Sequence, residues 1–172
     1  PGPAIGLPTR QEQGDLEFLL RASHGEFPRV VLAPATTAEC FWAVVKAFNL
    51  AEKYQLPVIV MTDHHLATSY STVERFDLNR IEIDRGDLST GTAGDYNRYL
   101  FTQNNISPRA FPGKSGALVV TDSDEHDEAG HLTEDPSIRS RMMNKRLGKL
   151  AFIEEEIKRP RLYGAEQPEA IL

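Results

Sequence analysis

The stretch "VVLAPATTAECFWAVVKAFNLAEKYQLPVIVMTD", Val30 to Asp63, decides the fold. It opens with a β-branched apolar run, Val30 to Pro34, a short buried strand stopped by proline. Thr36 and Glu39 then make a Thr-x-x-Glu capping box, the signature of a helix start. Behind it Phe41, Val44, Val45, Phe48 and Ala51 or Glu52 follow the three-and-four spacing of one helix face, and the helix ends before Pro57. Pro57 to Asp63 is a second apolar strand. Strand, helix, strand is a βαβ unit, and its right-handed crossover joins parallel strands. Neither strand alternates polar with apolar residues, as expected of parallel strands covered on both faces.

Working outward, the chain opens on "GPAIGLPTRQEQGDL", Gly2 to Leu16, a loop rich in glycine and proline. Asp15 to Ser23 reads as a short helix and His24 to Arg29 as a turn. Residues 74–116 carry many Gly, Pro, Asn and Ser residues, with room for an irregular strand in "FDLNRIEIDRGDL". A structured excursion of that length is usually functional or forms an interface. Ala117 to Thr121 is a third apolar strand, followed by an acidic loop. Asp135 to Ile157 is a long helix, with Asp135 as N-cap and Pro136 at the first helical position. Ile138, Met142, Leu147, Leu150 and Ile153 supply its apolar stripe, and the rest of the helix is charged. Residues 158–172 read as a linker, whose closing "EAIL" resembles the start of a strand. The fold class is therefore α/β, a mostly parallel sheet flanked by helices. The chain is expected to be incomplete at both ends.

Composition narrows the function. The 172 residues suit one domain, and 40% hydrophobic with 26% charged residues suits a globular chain. A net charge of −6 argues against a nucleic-acid partner, which wants a basic face. No apolar run is long enough to cross a membrane. Cys40 is the one cysteine, so the chain forms no intrachain disulfide, and a cytoplasmic setting is expected. An iron–sulfur cluster held by this chain alone is excluded for the same reason, since such clusters take about four thiolates. Cys40 lies in an apolar helical pattern and is read as packing.

In open α/β sheets, sites lie beyond the carboxyl ends of parallel strands. That rule picks out three loops: the one after Pro34, "DHH" at Asp63, His64 and His65, and "DSDEHDEAGH" at Asp122 to His131. The third is dense in carboxylates and histidines. It is no EF-hand, because its sixth position is Asp127 and its twelfth is Thr133, and it lacks HExxH spacing. No metal is assigned to it; it reads as a polar active-site edge or a solvated acidic turn. His64 and His65 could act as acid–base groups near neutral pH. Adjacent residues at a strand end point opposite ways, so at most one of them faces a site. His24 reads as a turn residue. Arg109, between Pro108 and Pro112, is fixed in an extended segment, which suits either anion binding or a structural ion pair. There is no nucleophile elbow, P-loop or G-x-G-x-x-G.

Five blocks in order, "GPAIGLPTRQEQGDL", "HGEFPRVVLAP", "AFNLAEKYQLPVIVMTD", "ISPRAFPG" and "DSDEHDEAGHLTED", resemble the alpha subunit of 2-oxoacid:ferredoxin oxidoreductases, nearest the 2-oxoglutarate type. The resemblance spans nearly the whole chain. It implies a thiamine-diphosphate-binding fold of the pyrimidine-domain kind. Residues 1–157 would be its second half, and 158–172 would lead into a transketolase-like domain. It implies thiamine diphosphate with Mg²⁺, shared with a beta subunit that also carries a 4Fe-4S cluster. The implied reaction is oxidative decarboxylation of a 2-oxoacid, with coenzyme A taking the acyl group and ferredoxin the electrons, in a hetero-oligomer of two alpha and two beta chains. The cofactor carries the hard chemistry and the protein orients it.

The resemblance also places residues. The loop Gly2, Pro3, Ala4 and Ile5 would follow an arginine that grips the substrate carboxylate, and Asp124, Glu125 and His126 would border the substrate pocket. Asp63 matches the family's aspartate, and Asp63, His64 and Arg109 remain candidates for an active-site loop. Two departures stand out. The family usually shows Ser-Thr where this chain has Ala4 and Ile5, and the histidines after Asp63 are not typical. The first leaves a rival expectation open: a non-catalytic binding module that keeps the fold.

Overall fold

The structure is a computed structural model and describes residues 6, 14–92, 94–157 and 164. At its centre are the strands β1 (Val30–Leu32) and β2 (Val58–Val60). They pair in parallel, Val30 against Val58, Val31 against Ile59 and Leu32 against Val60. Two bonds extend the ladder: Val30 N–H donates to Pro57 O (3.1 Å) and Met61 N–H to Leu32 O (2.8 Å). The helix between them, α2 (Thr37–Tyr54), starts where the capping box predicts. Thr36 Oγ1 accepts from Glu39 N–H at 3.2 Å, while the Glu39 carboxylate reaches back to Ala35 N–H at 2.9 Å. It ends at Gln55, whose left-handed backbone (φ 53°) turns its N–H onto Ala51 O.

The face that α2 turns inward is not the predicted one. Ala47, Leu50 and Tyr54 are buried, whereas Val44 and Phe48 are exposed, Phe48 at 69%. Apolar residues cover more than half the circumference of the helix, opposite Lys46, Asn49 and Lys53, so spacing alone offers two stripes, and only the sheet selects between them. Phe41 is covered differently: it stacks on Phe76 of the following excursion, with ring centroids 4.1 Å apart.

The core gathers Val30, Leu50, Tyr54 and Leu56 with Ile106 and Ile153. Ile106 comes from the long excursion, so that segment is a structural cover rather than a free loop. It holds to α2 through Asn49, whose Nδ2 donates to Glu82 O (2.7 Å) and whose Oδ1 accepts from Asp84 N–H (3.1 Å). Gly86 completes the contact: at φ 69°, a Cβ there would stand 2.7 Å from Lys53 Cα. The irregular strand expected in this region is absent; a 3₁₀ turn at Leu78–Arg80 and a single bridge between Leu88 and Arg109 take its place.

Two further expectations are corrected. Ala117–Thr121 forms no strand; the described sheet contains β1 and β2 alone, and Leu118 is 69% exposed. An apolar β-branched run specifies an extended chain, but pairing needs a partner edge elsewhere. Here Val120 instead presses on Gly130, where a Cβ would meet Val120 O at 2.1 Å. The long helix is interrupted as well. Asp135 caps α4 (Pro136–Gly148), accepting from Ser137 N–H at 2.7 Å, and a short α5 (Leu150–Ile153) follows. The break falls at Gly148, a weak helix former, and Lys149. The buried stripe is Met142, Lys145, Lys149 and Ile153, while Leu150 is exposed. N-terminal to β1 lies α1 (Asp15–Arg21), which buries none of its residues.

Candidate functional site

The sequence-predicted residues fall in separate places. Gly2, Pro3, Ala4 and Ile5 lie outside the described residues. Asp63 stands beyond the carboxyl end of β2, where its Oδ1 accepts from Leu66 N–H at 2.7 Å and caps the short helix α3 (His64–Thr68). His64 and His65 therefore open a helix rather than close a strand, and both are exposed. The opposite-pointing argument does not apply to them. Arg109 is held in an ion pair with Glu52 of α2, and its guanidinium also donates to Arg85 O at 3.3 Å. The hydrogen bond from Arg109 keeps the Glu52 carboxyl below its ordinary pKa, against a smaller effect of burial. Of the two roles left open for Arg109, the described contacts show the structural pair.

Asp124, Glu125 and His126 divide among three environments. Asp124 is an exposed turn residue at φ 57°. Glu125 takes a two-pronged ion pair from Arg146 of α4 (3.0 and 2.7 Å), with Arg139 3.4 Å away. Burial works to raise the Glu125 pKa, yet the Arg146 hydrogen bonds and the two arginine charges hold it below the usual carboxylate value. His126 packs its ring on Tyr99, centroids 3.7 Å apart, and its buried Nδ1 has no hydrogen-bond partner. Burial lowers its pKa, and the charge of Glu125 opposes that shift.

His126 borders a cavity of about 230 Å³. Its apolar walls are Phe27 and Pro28, entering β1, Leu56 and Pro57, entering β2, and Met142 of α4. Its polar walls are Gln55, Tyr99 and four cations, Arg98, Lys145, Arg146 and Lys149. The cavity therefore opens at the amino ends of the two parallel strands, opposite to Asp63. The carboxyl-end rule fails for the acidic loop because the segment leading into it is not a strand of the sheet.

Gln55 and Ser107 draw the cations together. Arg98 donates to Gln55 Oε1 (2.9 Å), Lys149 Nζ to Gln55 O (2.9 Å), and Gln55 Nε2 to Ser107 O (2.6 Å). Lys145 Nζ donates to Ser107 Oγ and to Tyr99 O. Both lysines are pushed down to about 8, Lys145 by burial and then the charges of Lys149 and Arg98, Lys149 by burial and then Arg98 and Arg146. Among the described residues, Lys145, Lys149 and Arg98 form no salt bridge with a carboxylate, and the one carboxylate in direct contact with the group is Glu125, on Arg146. Sequence reasoning missed these cations because it assigned a role only to the apolar stripe of the helix. The available signal was spacing: positions 142, 145, 149 and 153 keep one helix face.

A parallel βαβ unit with covering helices defines an α/β domain. Residues 1–145 match the family model described as "Pyruvate flavodoxin/ferredoxin oxidoreductase, thiamine diP-bdg", and the chain belongs to that family. It is 45% identical over 168 residues to "2-oxoacid:ferredoxin oxidoreductase 1, subunit alpha" of Sulfurisphaera tokodaii, covering 95% of this chain and 26% of that one. It is 44% identical over 158 residues to the corresponding subunit of oxidoreductase 2 of Aeropyrum pernix, 91% of this chain and 24% of the relative. Among solved structures it resembles a 2-oxoglutarate:ferredoxin oxidoreductase of Magnetococcus marinus with 2-oxoglutarate, coenzyme A and succinyl-CoA bound. The TM-score is 0.86 and the identity 38%, over 96% of this chain and 29% of that one. The chain thus spans about a quarter of the length of the curated relatives it matches.

The family's cofactor can be tested against the residues present. The described residues contain no group of three or more His, Cys, Asp or Glu side chains able to hold a metal ion. In the acidic loop, Glu125 is committed to arginines and Asp127 to the N–H groups of Gly130 and His131. The described residues do not fit a Mg²⁺–diphosphate group.

Proposed function

We propose that this chain is part of the alpha subunit of a thiamine-dependent 2-oxoacid:ferredoxin oxidoreductase. It would act in the oxidative decarboxylation of 2-oxoglutarate or a related 2-oxoacid to the acyl-coenzyme A, with electrons passing to ferredoxin. The observation that carries the reading is likeness over nearly the whole chain to an oxidoreductase whose structure holds 2-oxoglutarate and coenzyme A. The 45% identity to a 2-oxoacid:ferredoxin oxidoreductase alpha subunit supports it. A beta subunit would supply the Mg²⁺–diphosphate site and the 4Fe-4S cluster, in a cytoplasmic hetero-oligomer of two copies each. Residues 1–157 would belong to the pyrimidine-binding domain and 158–172 to the link with the next. Asp124 and the Gly2–Ile5 loop would edge the substrate pocket.

The test is to co-express the full-length alpha chain with its beta subunit under anaerobic conditions. The expected result is viologen reduction that requires both 2-oxoglutarate and coenzyme A. A complex that contains thiamine diphosphate and cluster, yet reduces no viologen with any of several 2-oxoacids, would leave the binding-module reading that the Ala4–Ile5 departure suggests.

A further inference from the structure

We propose that the cavity at the amino ends of β1 and β2 binds a small oxyanion, a carboxylate or a phosphate, through Arg98, Lys145 and Lys149. The inference goes beyond the oxidoreductase reading, and its readout needs no turnover. Three cations turn toward buried Ser107 and half-buried Gln55, and what they hold there is neutral: the Gln55 side chain and backbone carbonyl, the Tyr99 carbonyl and the Ser107 hydroxyl. Neutral oxygens satisfy hydrogen bonding but do not cancel charge. Lys145 and Lys149 are 6% and 9% exposed, so their mutual repulsion is weakly screened. A buried unpaired charge is costly, and the usual relief is a counter-ion.

Among the described residues, charged and titratable groups face the two lysines from three elements. Arg98 and Tyr99 come from the excursion, His126 and Glu128 from the acidic loop, and Arg146 from α4. Glu125 pairs with Arg146, and Glu128, held by the N–H of Phe101 at 2.8 Å, keeps its charge and offsets part of that on Lys145. Among the described residues, the four cations of the cavity wall outnumber these two carboxylates, an imbalance of positive charge. Volume limits what can answer it: about 230 Å³ is below the roughly 300–1,000 Å³ typical of pockets for drug-sized ligands. A whole coenzyme does not fit, whereas a small carboxylate or phosphate does. Phe27, Leu56 and Met142 offer a short carbon chain an apolar wall, and the unpartnered Nδ1 of His126 offers one more polar contact.

The test uses the complete subunit assembly without substrates. Glutarate, inorganic phosphate and chloride are titrated at equal ionic strength at pH 7 and pH 9.5, by calorimetry and thermal shift. The expected result is saturable binding of glutarate or phosphate over chloride at pH 7, and the two arms tell a carboxylate site from a phosphate site. Binding should weaken about tenfold or more at pH 9.5, where the lysines are largely neutral and both arginines remain charged. Lys149→Met should weaken it to a similar degree and Lys149→Arg should retain it. If the methionine variant does not assemble, the pH comparison on the unaltered protein decides alone. A purely structural role for the lysines predicts no difference between anions and chloride at pH 7, and that result overturns the proposal. So does binding that is unchanged at pH 9.5.

Discussion

Lys53 and Lys145 both lie beside residues of the core, and their surroundings differ in one respect. Lys53, on α2, has carboxylates: Glu156 at 2.5 Å and Asp84 at 3.4 Å. The Glu156 hydrogen bond raises its pKa. Lys145, on α4, has a carbonyl and a hydroxyl, and burial with neighbouring cations brings it down to about 8. Both lysines have hydrogen-bond acceptors; among the described residues only Lys53 has a carboxylate in direct contact. Satisfying donors and neutralising charge are separate requirements, and the cavity side of this molecule meets the first more fully than the second. That contrast separates a closed structural network from a surface equipped to receive something negative.

The largest expected effect comes from opening the cavity's apolar wall. Met142 is 1% exposed, one helical turn from Lys145. Met142→Ala should destabilise the fold by about 3 kcal/mol, within the range for buried methionine truncations. Denaturant midpoints of the assembled protein check it. A loss under 1 kcal/mol would mean that the α4 stripe is not part of the core.

The next effect is pH dependence, where the two sides should respond with opposite signs. Lys145 and Lys149 have folded values near 8 against an ordinary 10.5, so between those values the unfolded chain binds more protons and stability rises with pH. The gain should be about 2 kcal/mol, after solvent screening trims the full linkage value. On the other side, Tyr54 is raised to about 12 by burial and then by its hydrogen bond to Glu156. Its contribution is present below pH 10 and is lost as pH climbs toward 12. Thermal scans from pH 7 to 12 should therefore rise and then fall. A monotonic decline from pH 8 would show that the cavity lysines are already neutralised in the assembly.

How much of this contrast was legible beforehand follows from which signals are local. The capping box at Thr36–Glu39, the Asp135–Pro136 helix start and the parallel pairing of Val30–Leu32 with Val58–Val60 could be read, because each depends on residues close in sequence or on a strongly patterned crossover. Ala117–Thr121 was misread because pairing is decided by distant edges. The exposure of the face with Val44 and Phe48 was not legible, because a helix with a wide apolar arc does not declare which stripe meets the sheet. The site suffered more. Carboxylates and histidines declare themselves as chemistry, while Lys145 and Lys149 are two charges among many on a charged helix. Long side chains carry buried stems, and spacing alone does not reveal where their heads end. Arg98 and Gln55 meet only in three dimensions.

The smallest effect tests the neutralised side. Lys53 and Glu156 expose 36% and 38% of their side chains, in the regime where ion pairs contribute little. Lys53→Met should cost about 0.5 kcal/mol and leave a difference from wild type that fades in 1 M salt, where the screening length is about 3 Å. The same change carries a spectroscopic mark. The Lys53 charge lowers the pKa of Tyr54, so removing it should move Tyr54 ionisation further up, read from the phenolate absorbance against pH. A merely local packing loss would lower stability without moving that titration. A cost above about 2 kcal/mol would place the pair with buried ion pairs. The two sides of the core would then differ in degree of burial rather than in whether charge is cancelled, and the comparison would need a different basis.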